Sequence, residues 1–156
     1  MFFNQIYNTG YEIIFVAFSV IIVAQIIKFF AHMFIKRQVD IRMLTTTGGM
    51  PSSHSAGVIG LTTAVGLISG FDSLIFAVSI GFSLVVMYDA AGLRRAAGKQ
   101  AACLNRILED FYKQELQAIG GKLKELLGHT PIQVFWGAIL GIVYAYYMHQ
   151  YFLGKF

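Results

Sequence analysis

Four apolar runs dominate this chain, and most of its polar residues lie between them. The first run, 13–35, is broken only by Ser19, Gln25, Lys28 and His32. About 20 residues cross the hydrocarbon core of a bilayer, so this run predicts one transmembrane helix with Lys28 in its last third. A second apolar stretch from Ser55 to Gly70 is short for a span unless its helix starts at Pro51, giving 51–70. After a Phe71-Asp72-Ser73 turn comes a third span, 74–92, and a fourth covers 130–152 behind a Thr130-Pro131 helix start. Between them lies the water-facing segment 93–128. Its Leu104, Ile107, Leu108, Phe111, Leu116, Ile119 and Leu123 recur mostly at helical steps, predicting an amphipathic helix interrupted at Gly120-Gly121. That helix either lies on the membrane surface or packs under the bundle.

The pattern therefore predicts an all-α polytopic membrane helix bundle, a single domain over 1–156 with four transmembrane helices and one cytoplasmic amphipathic helix. Composition agrees: 56% of residues are apolar and only 13% charged, against about 25% charged in a soluble domain. Mean hydropathy is +0.64. No Lys or Arg precedes Lys28, and the first run is too long for a signal-peptide core, so it reads as a retained span. Cys103 is the sole cysteine, which excludes an intrachain disulfide and a cysteine zinc cluster. Gly137/Gly141 and Gly66/Gly70 are GxxxG pairs that permit close helix contact, either within the chain or in a homo-oligomer.

Charge then orients the bundle. With four spans, the connections after the first and third face one side, and both termini face the other. Lys36, Arg37, Arg42, Arg94, Arg95, Lys99, Arg106, Lys113, Lys122 and Lys124 fall on the first side, and Lys155 alone on the second. The positive-inside rule makes the first side cytoplasmic and puts both termini outside. A net charge of +4 is thus explained by topology and anionic lipid headgroups, and no nucleic-acid partner is expected. Three motifs then meet at the cytoplasmic face: Pro51-Ser52-Ser53-His54, the stretch from Asp89 to Lys99, and Gly128-His129-Thr130.

Together they carry the chemistry of a phosphate site. A phosphate ester needs cations and amide donors around its oxygens, a nucleophile, and an acid for the leaving group. Arg94, Arg95 and Lys99 offer charge, and His54 and His129 offer a nucleophile and an acid. The helix starts at Pro51 and Pro131 offer amides, with Ser52 or Ser53 as a cap. Each motif also has a plainer reading. Pro51 to His54 is an ordinary helix start, His129 a residue beside a cap, and the Arg94–Lys99 cations topology determinants. Lys28 either snorkels to the interface or joins the site. His32 and His149 read as interfacial, and the Leu104–Leu123 stripe as packing.

Pro51-Ser52-Ser53-His54 resembles the proline-serine-x-histidine signature of type 2 phosphatidic acid phosphatases and vanadium haloperoxidases. Gly48 to Ala56, Tyr88 to Gln100 and Gly128-His129-Thr130-Pro131 together resemble the small divergent branch of that superfamily. The resemblance implies an integral protein of the bacterial cytoplasmic membrane that hydrolyses or binds a lipid phosphate or diphosphate. It also implies His129 as the nucleophile and His54 as the acid. Ser52, Ser53, Arg94, Arg95 and Lys99 would bind phosphate, supported by Asp89, Gln133, Arg42 and Lys28. No cofactor or metal is expected, and vanadate is expected to inhibit as a transition-state mimic. The departures are specific. Leu123 stands where the usual final motif has arginine, Gln133 where it has an orienting aspartate, and the usual first motif has no clean match. They motivate the alternative of a non-catalytic lipid-phosphate binder or scaffold on a degenerate phosphatase frame. A transporter or channel is a weaker third reading.

Overall fold

The computed structural model describes residues 6–37, 39, 48–111 and 128–155, and all regular structure among them is helical. The first helix, α1 (Gly10–Lys36), turns one row of its surface inward. Glu12, Val16, Val20, Ala24 and Lys28 are all buried. They recur every fourth residue, so they stack on one face. The row is apolar in its middle and charged at both ends, with the two charges about 24 Å apart at 1.5 Å rise per residue.

That row packs on α2 (Ser53–Ser69), which lies at the centre of the bundle and touches α1, the helix that follows it and the last helix of the chain. α2 is built mainly from small residues, and Ser53, Ser55, Ala56, Gly57, Gly60, Ala64 and Gly66 are all buried. Ser52 caps it, its Oγ accepting the Ser55 N–H at 3.3 Å. Pro51 therefore precedes the helix instead of opening it, and α2 starts two residues after the start expected from the sequence. Gly70 ends α2 at a φ of 91°.

The next helix, α3 (Leu74–Tyr88), is held to α2 by hydroxyls. Thr62 Oγ1 lies 2.7 Å from Ser83 Oγ and donates to the Ser79 carbonyl at 3.1 Å, while Ser83 Oγ donates to the Val58 carbonyl at 3.0 Å. Leu74, Val78 and Val85 on its other faces are exposed, as expected where lipid is the solvent and polar contacts tie helices together. The expected break at 92 is absent. A π-helical turn, Asp89–Leu93, carries the chain directly into α4 (Arg94–Phe111). Among the described side chains of α4 the buried positions are Gly98 and Asn105, whereas Leu104 and Ile107 of the expected packing stripe are about half exposed. The rest of that stripe, from 112 to 123, lies outside the described residues.

The last helix, α5 (Pro131–Phe152), packs along α2 through Gly137 and Gly141. A Cβ at Gly137 would sit 2.4 Å from the Ser52 carbonyl oxygen, and one at Gly141 would sit 2.6 Å from that of Ala56. This GxxxG pair is thus filled from within the chain. Gly66 instead receives the rings of Phe71 and Phe76, so the Gly66/Gly70 pair shapes a turn and not a helix seam. Among the described residues, three helical stretches are long and apolar enough to cross a membrane: Gly10–Ile35, Leu74–Leu108 and Pro131–Phe152. α2, at 17 residues, is about 25 Å long and falls short of a full 30 Å hydrocarbon core.

At the end of the bundle away from the α2 N-terminus, α1 and α5 are tied by a carboxyl–imidazole contact. Glu12 Oε1 lies 2.7 Å from His149 Nδ1, and Glu12 Oε2 accepts the Asn8 N–H at 2.7 Å. The Tyr7 ring lies 5.6 Å from the imidazole, centroid to centroid. His149 is therefore buried against a carboxylate, not interfacial, because the α1 stripe brings Glu12 to it.

Two stability changes follow. Gly141→Ala lowers the midpoint of thermal unfolding in detergent, with about 1–3 kcal/mol lost to overpacking, while Gly81→Ala, which meets open space, stays within about 0.5 kcal/mol of wild type. His149→Ala leaves Glu12 buried without its imidazole and costs about 1–3 kcal/mol by the same measurement.

Candidate functional site

Two helix starts and one helix interruption converge at the other end of the bundle. The Ser52 cap puts His54 in the first turn of α2. At α5, Thr130 Oγ1 accepts the Gln133 N–H at 3.4 Å, and Gln133 Oε1 accepts the Thr130 N–H at 3.0 Å. This reciprocal pair closes a capping box and satisfies two otherwise stranded donors. The two starts are joined directly, because the Ser52 N–H donates to the Gln133 carbonyl at 3.0 Å.

His129 lies just before the Thr130 cap, and its backbone N–H donates to the Ala90 carbonyl at 3.1 Å. Ala90 is buried inside the π-turn. Such a turn locally breaks the i→i+4 hydrogen-bond ladder, and π-turns are frequent at functional sites. Here the turn supplies the acceptor that holds the His129 backbone. These constraints bring the His54 and His129 rings to a centroid separation of 5.7 Å, inclined at 63°. His129 is only 2% exposed, while His54 is half-buried. One imidazole is thus sealed inside and its neighbour reaches outward.

Lys28 belongs to the same corner. It is 2% exposed, so it does not snorkel. Its stem crosses Gly49, where a Cβ would lie 3.1 Å from Lys28 Cδ. Gly49 adopts a φ of 94°, a backbone conformation that suits glycine and leaves the space the lysine stem fills. The Gly48–Ser52 loop therefore passes over the buried Lys28 stem just before it reaches the start of α2. The N-termini of α2 and α5 add the positive ends of two helix dipoles. The corner suits an anion.

Of the residues singled out from the sequence, His54, His129, Ser52, Ser53, Gln133, Asp89 and Lys28 lie at this end on α1, α2, the π-turn and α5. Ser52 is fully buried and engaged in the cap, with Ser55 Oγ donating to its Oγ at 3.2 Å. Gln133 spends its Oε1 on the Thr130 amide, so its acceptor serves the helix start and not the imidazole. Asp89 opens the π-turn and is half-buried. Lys99 is exposed on α4. Arg94 and Arg95 form the first turn of α4, while their side chains, and the whole of Arg42 and Leu123, lie outside the described residues. Sequence patterns missed the Ala90 carbonyl and the Glu12–His149 pair. No local signal marks a π-turn, and the pair joins residues from opposite ends of the chain.

The family described as Divergent PAP2 matches residues 9–144. The uncharacterized membrane protein YuiD of Bacillus subtilis is 43% identical over 145 residues, which is 86% of this chain and 92% of the relative. No solved structure matches.

The Lys28–Gly49 contact is open to a double-mutant cycle. Gly49→Ala destabilises by about 1–2 kcal/mol, the cost of a Cβ in left-handed backbone, plus displacement of the lysine stem. In a Lys28→Ala background the second part vanishes. The expected coupling in chemical unfolding is about 0.5 kcal/mol or more, and strict additivity would show that Lys28 does not pack there.

Proposed function

Because the chain belongs to the Divergent PAP2 family, we propose that it is a membrane phosphatase acting on a lipid phosphate or diphosphate through its His54–His129 corner. The observation that carries this reading is the approach of the two imidazoles to 5.7 Å at the start of two helices, beside the buried Lys28. The clustering of basic residues in the two long connections favours a cytoplasmic position for that corner.

In this reading a ring nitrogen of His129 attacks phosphorus. The P–N bond forms as the bond to the leaving oxygen breaks, and that oxygen takes its electron pair and a proton from His54. Water then attacks the phosphohistidine and gives its proton to His54, releasing inorganic phosphate and restoring His129. The backbone bond from His129 to Ala90 fixes the position of the nucleophile. Lys28 and the helix-start amides compensate the phosphate charge without reorganising. Arg94 and Arg95, at the exit of the π-turn, are the further cations of this reading.

A second reading has its own observation. Gln133, which stands where an orienting carboxylate would, is committed to the Thr130 cap. That favours a lipid-phosphate binder without turnover.

Purified protein with dispersed lipid phosphates separates the two. A phosphatase releases inorganic phosphate in the presence of EDTA, is inhibited by vanadate, and loses about 10³-fold or more of its rate in His129→Ala. In His54→Ala it loses about 10²–10⁴-fold, the usual worth of a positioned acid. The rate is bell-shaped in pH, because one imidazole must be neutral while the other is protonated. Wild-type turnover in both variants would sink the histidine mechanism. Phosphate-dependent binding without turnover or a trapped phosphohistidine would establish the binder instead.

A further inference from the structure

Beside the polar corner lies an apolar cleft of about 310 Å³, lined by Ile27 of α1, Met50 and Pro51 of the loop, and Trp136, Leu140 and Val143 of α5. It begins one residue before the Ser52 cap. It runs along α5 from Trp136 to Val143, about 10 Å at the rise of a helix. No polar surface lines it. Its extent is set by packing further along the bundle, where Leu140 and Tyr144 rest on Val20, Ala24 and Ala56. Beyond that, Tyr144 and Met148 pack against Val16, Ala64 and Ala145, and the Glu12–His149 contact pins the far ends of α1 and α5. The two helices are thus closed together at one end and leave a gap at the end that carries the histidines.

We propose that this cleft holds one hydrocarbon chain of a phosphate-monoester lipid whose headgroup sits at the His54–His129 corner. The inference rests on the phosphate-site reading and adds where the chain of the ligand runs. Continuity carries the assignment: Pro51 forms part of the cleft wall, and the next residue, Ser52, begins the anion corner. A phosphate at the helix starts therefore has an apolar slot leading directly away from it. The volume lies at the low end of the ~300–1,000 Å³ of ligand pockets, which suits part of a single chain and not a whole diacyl lipid. A freely diffusing phosphate or a soluble phosphoester would leave the slot unused.

Trp136 is the sole tryptophan in the chain, so its fluorescence reports on the cleft without labelling. The test uses the full-length protein in phosphatidylcholine nanodiscs doped with small fractions of acyl-brominated phosphatidic acid or, separately, of equally brominated phosphatidylcholine. Both quench by contact. The expected result is saturable quenching by the phosphatidic acid, half-maximal at a mole fraction about tenfold lower than for the phosphatidylcholine, each tenfold step being about 1.4 kcal/mol of preference. Filling the slot with Val143→Phe or Leu140→Phe is expected to abolish that preference. Equal quenching by the two lipids, or a preference untouched in folded filled variants, overturns the proposal. The wild-type comparison stands alone if a filled variant does not fold. Turnover of phosphatidic acid is measured in the same discs. Preferential quenching without turnover retains the cleft and rejects the hydrolase, whereas turnover with equal quenching retains the hydrolase and rejects the cleft.

Discussion

The approach of α5 to α2 at Gly137 and Gly141 is the contact on which the rest of the molecule depends. At both positions a single added methyl would fall within 2.6 Å of a backbone carbonyl oxygen. Backbones that close exchange dispersion contacts along their length, the main attraction available to helices in lipid, where burial of side chains gains little. The same approach puts the Ser52 N–H on the Gln133 carbonyl and so sets the two helix starts side by side. The meeting of His54 and His129 is a consequence of that seam. It does not depend on any attraction between the imidazoles.

Polar groups are placed sparingly in this bundle, and several of them tie one helix to another. Thr62, Ser79 and Ser83 tie α2 to α3, and Glu12 and His149 tie α1 to α5. In a medium without water each such group needs a protein partner or costs several kcal/mol, roughly, so these contacts fix which faces pair. The buried row of α1 shows the result in one element. Its apolar middle packs on α2, its acidic end latches α5, and its basic end lies under the glycine loop of the candidate site. In the reading proposed above, an anion at that corner would meet Lys28 and two helix N-termini in a region of low dielectric, where preorganised charge acts most strongly.

The π-turn has a different kind of consequence. α3 continues into α4 without a loop, so the segment after Tyr88 keeps its helical direction while one carbonyl, that of Ala90, is taken up by His129. The continuous helix made by α3, the π-turn and α4 is thereby joined to the backbone of a candidate nucleophile.

Much of this was legible in the residues alone. The length and polarity of the apolar runs determined an all-helical membrane bundle, because a bilayer admits few other solutions, and PSSH with GHTP determined which helix starts carry imidazoles. The basic connections led to the expectation, under the positive-inside rule, that the three motifs share a side. Local sequence was silent on the remainder, since it depends on pairings across the chain. Tertiary packing decided that Gly137 and Gly141 face α2 of the same chain, that Lys28 is buried under Gly49, and that His149 meets Glu12. It also decided that Gln133 caps a helix and that Ala90 holds His129. The physical reason is range: hydropathy and capping act over one or two turns of a helix, whereas the identity of a neighbour 3 Å away is set by which small residues let two distant backbones touch.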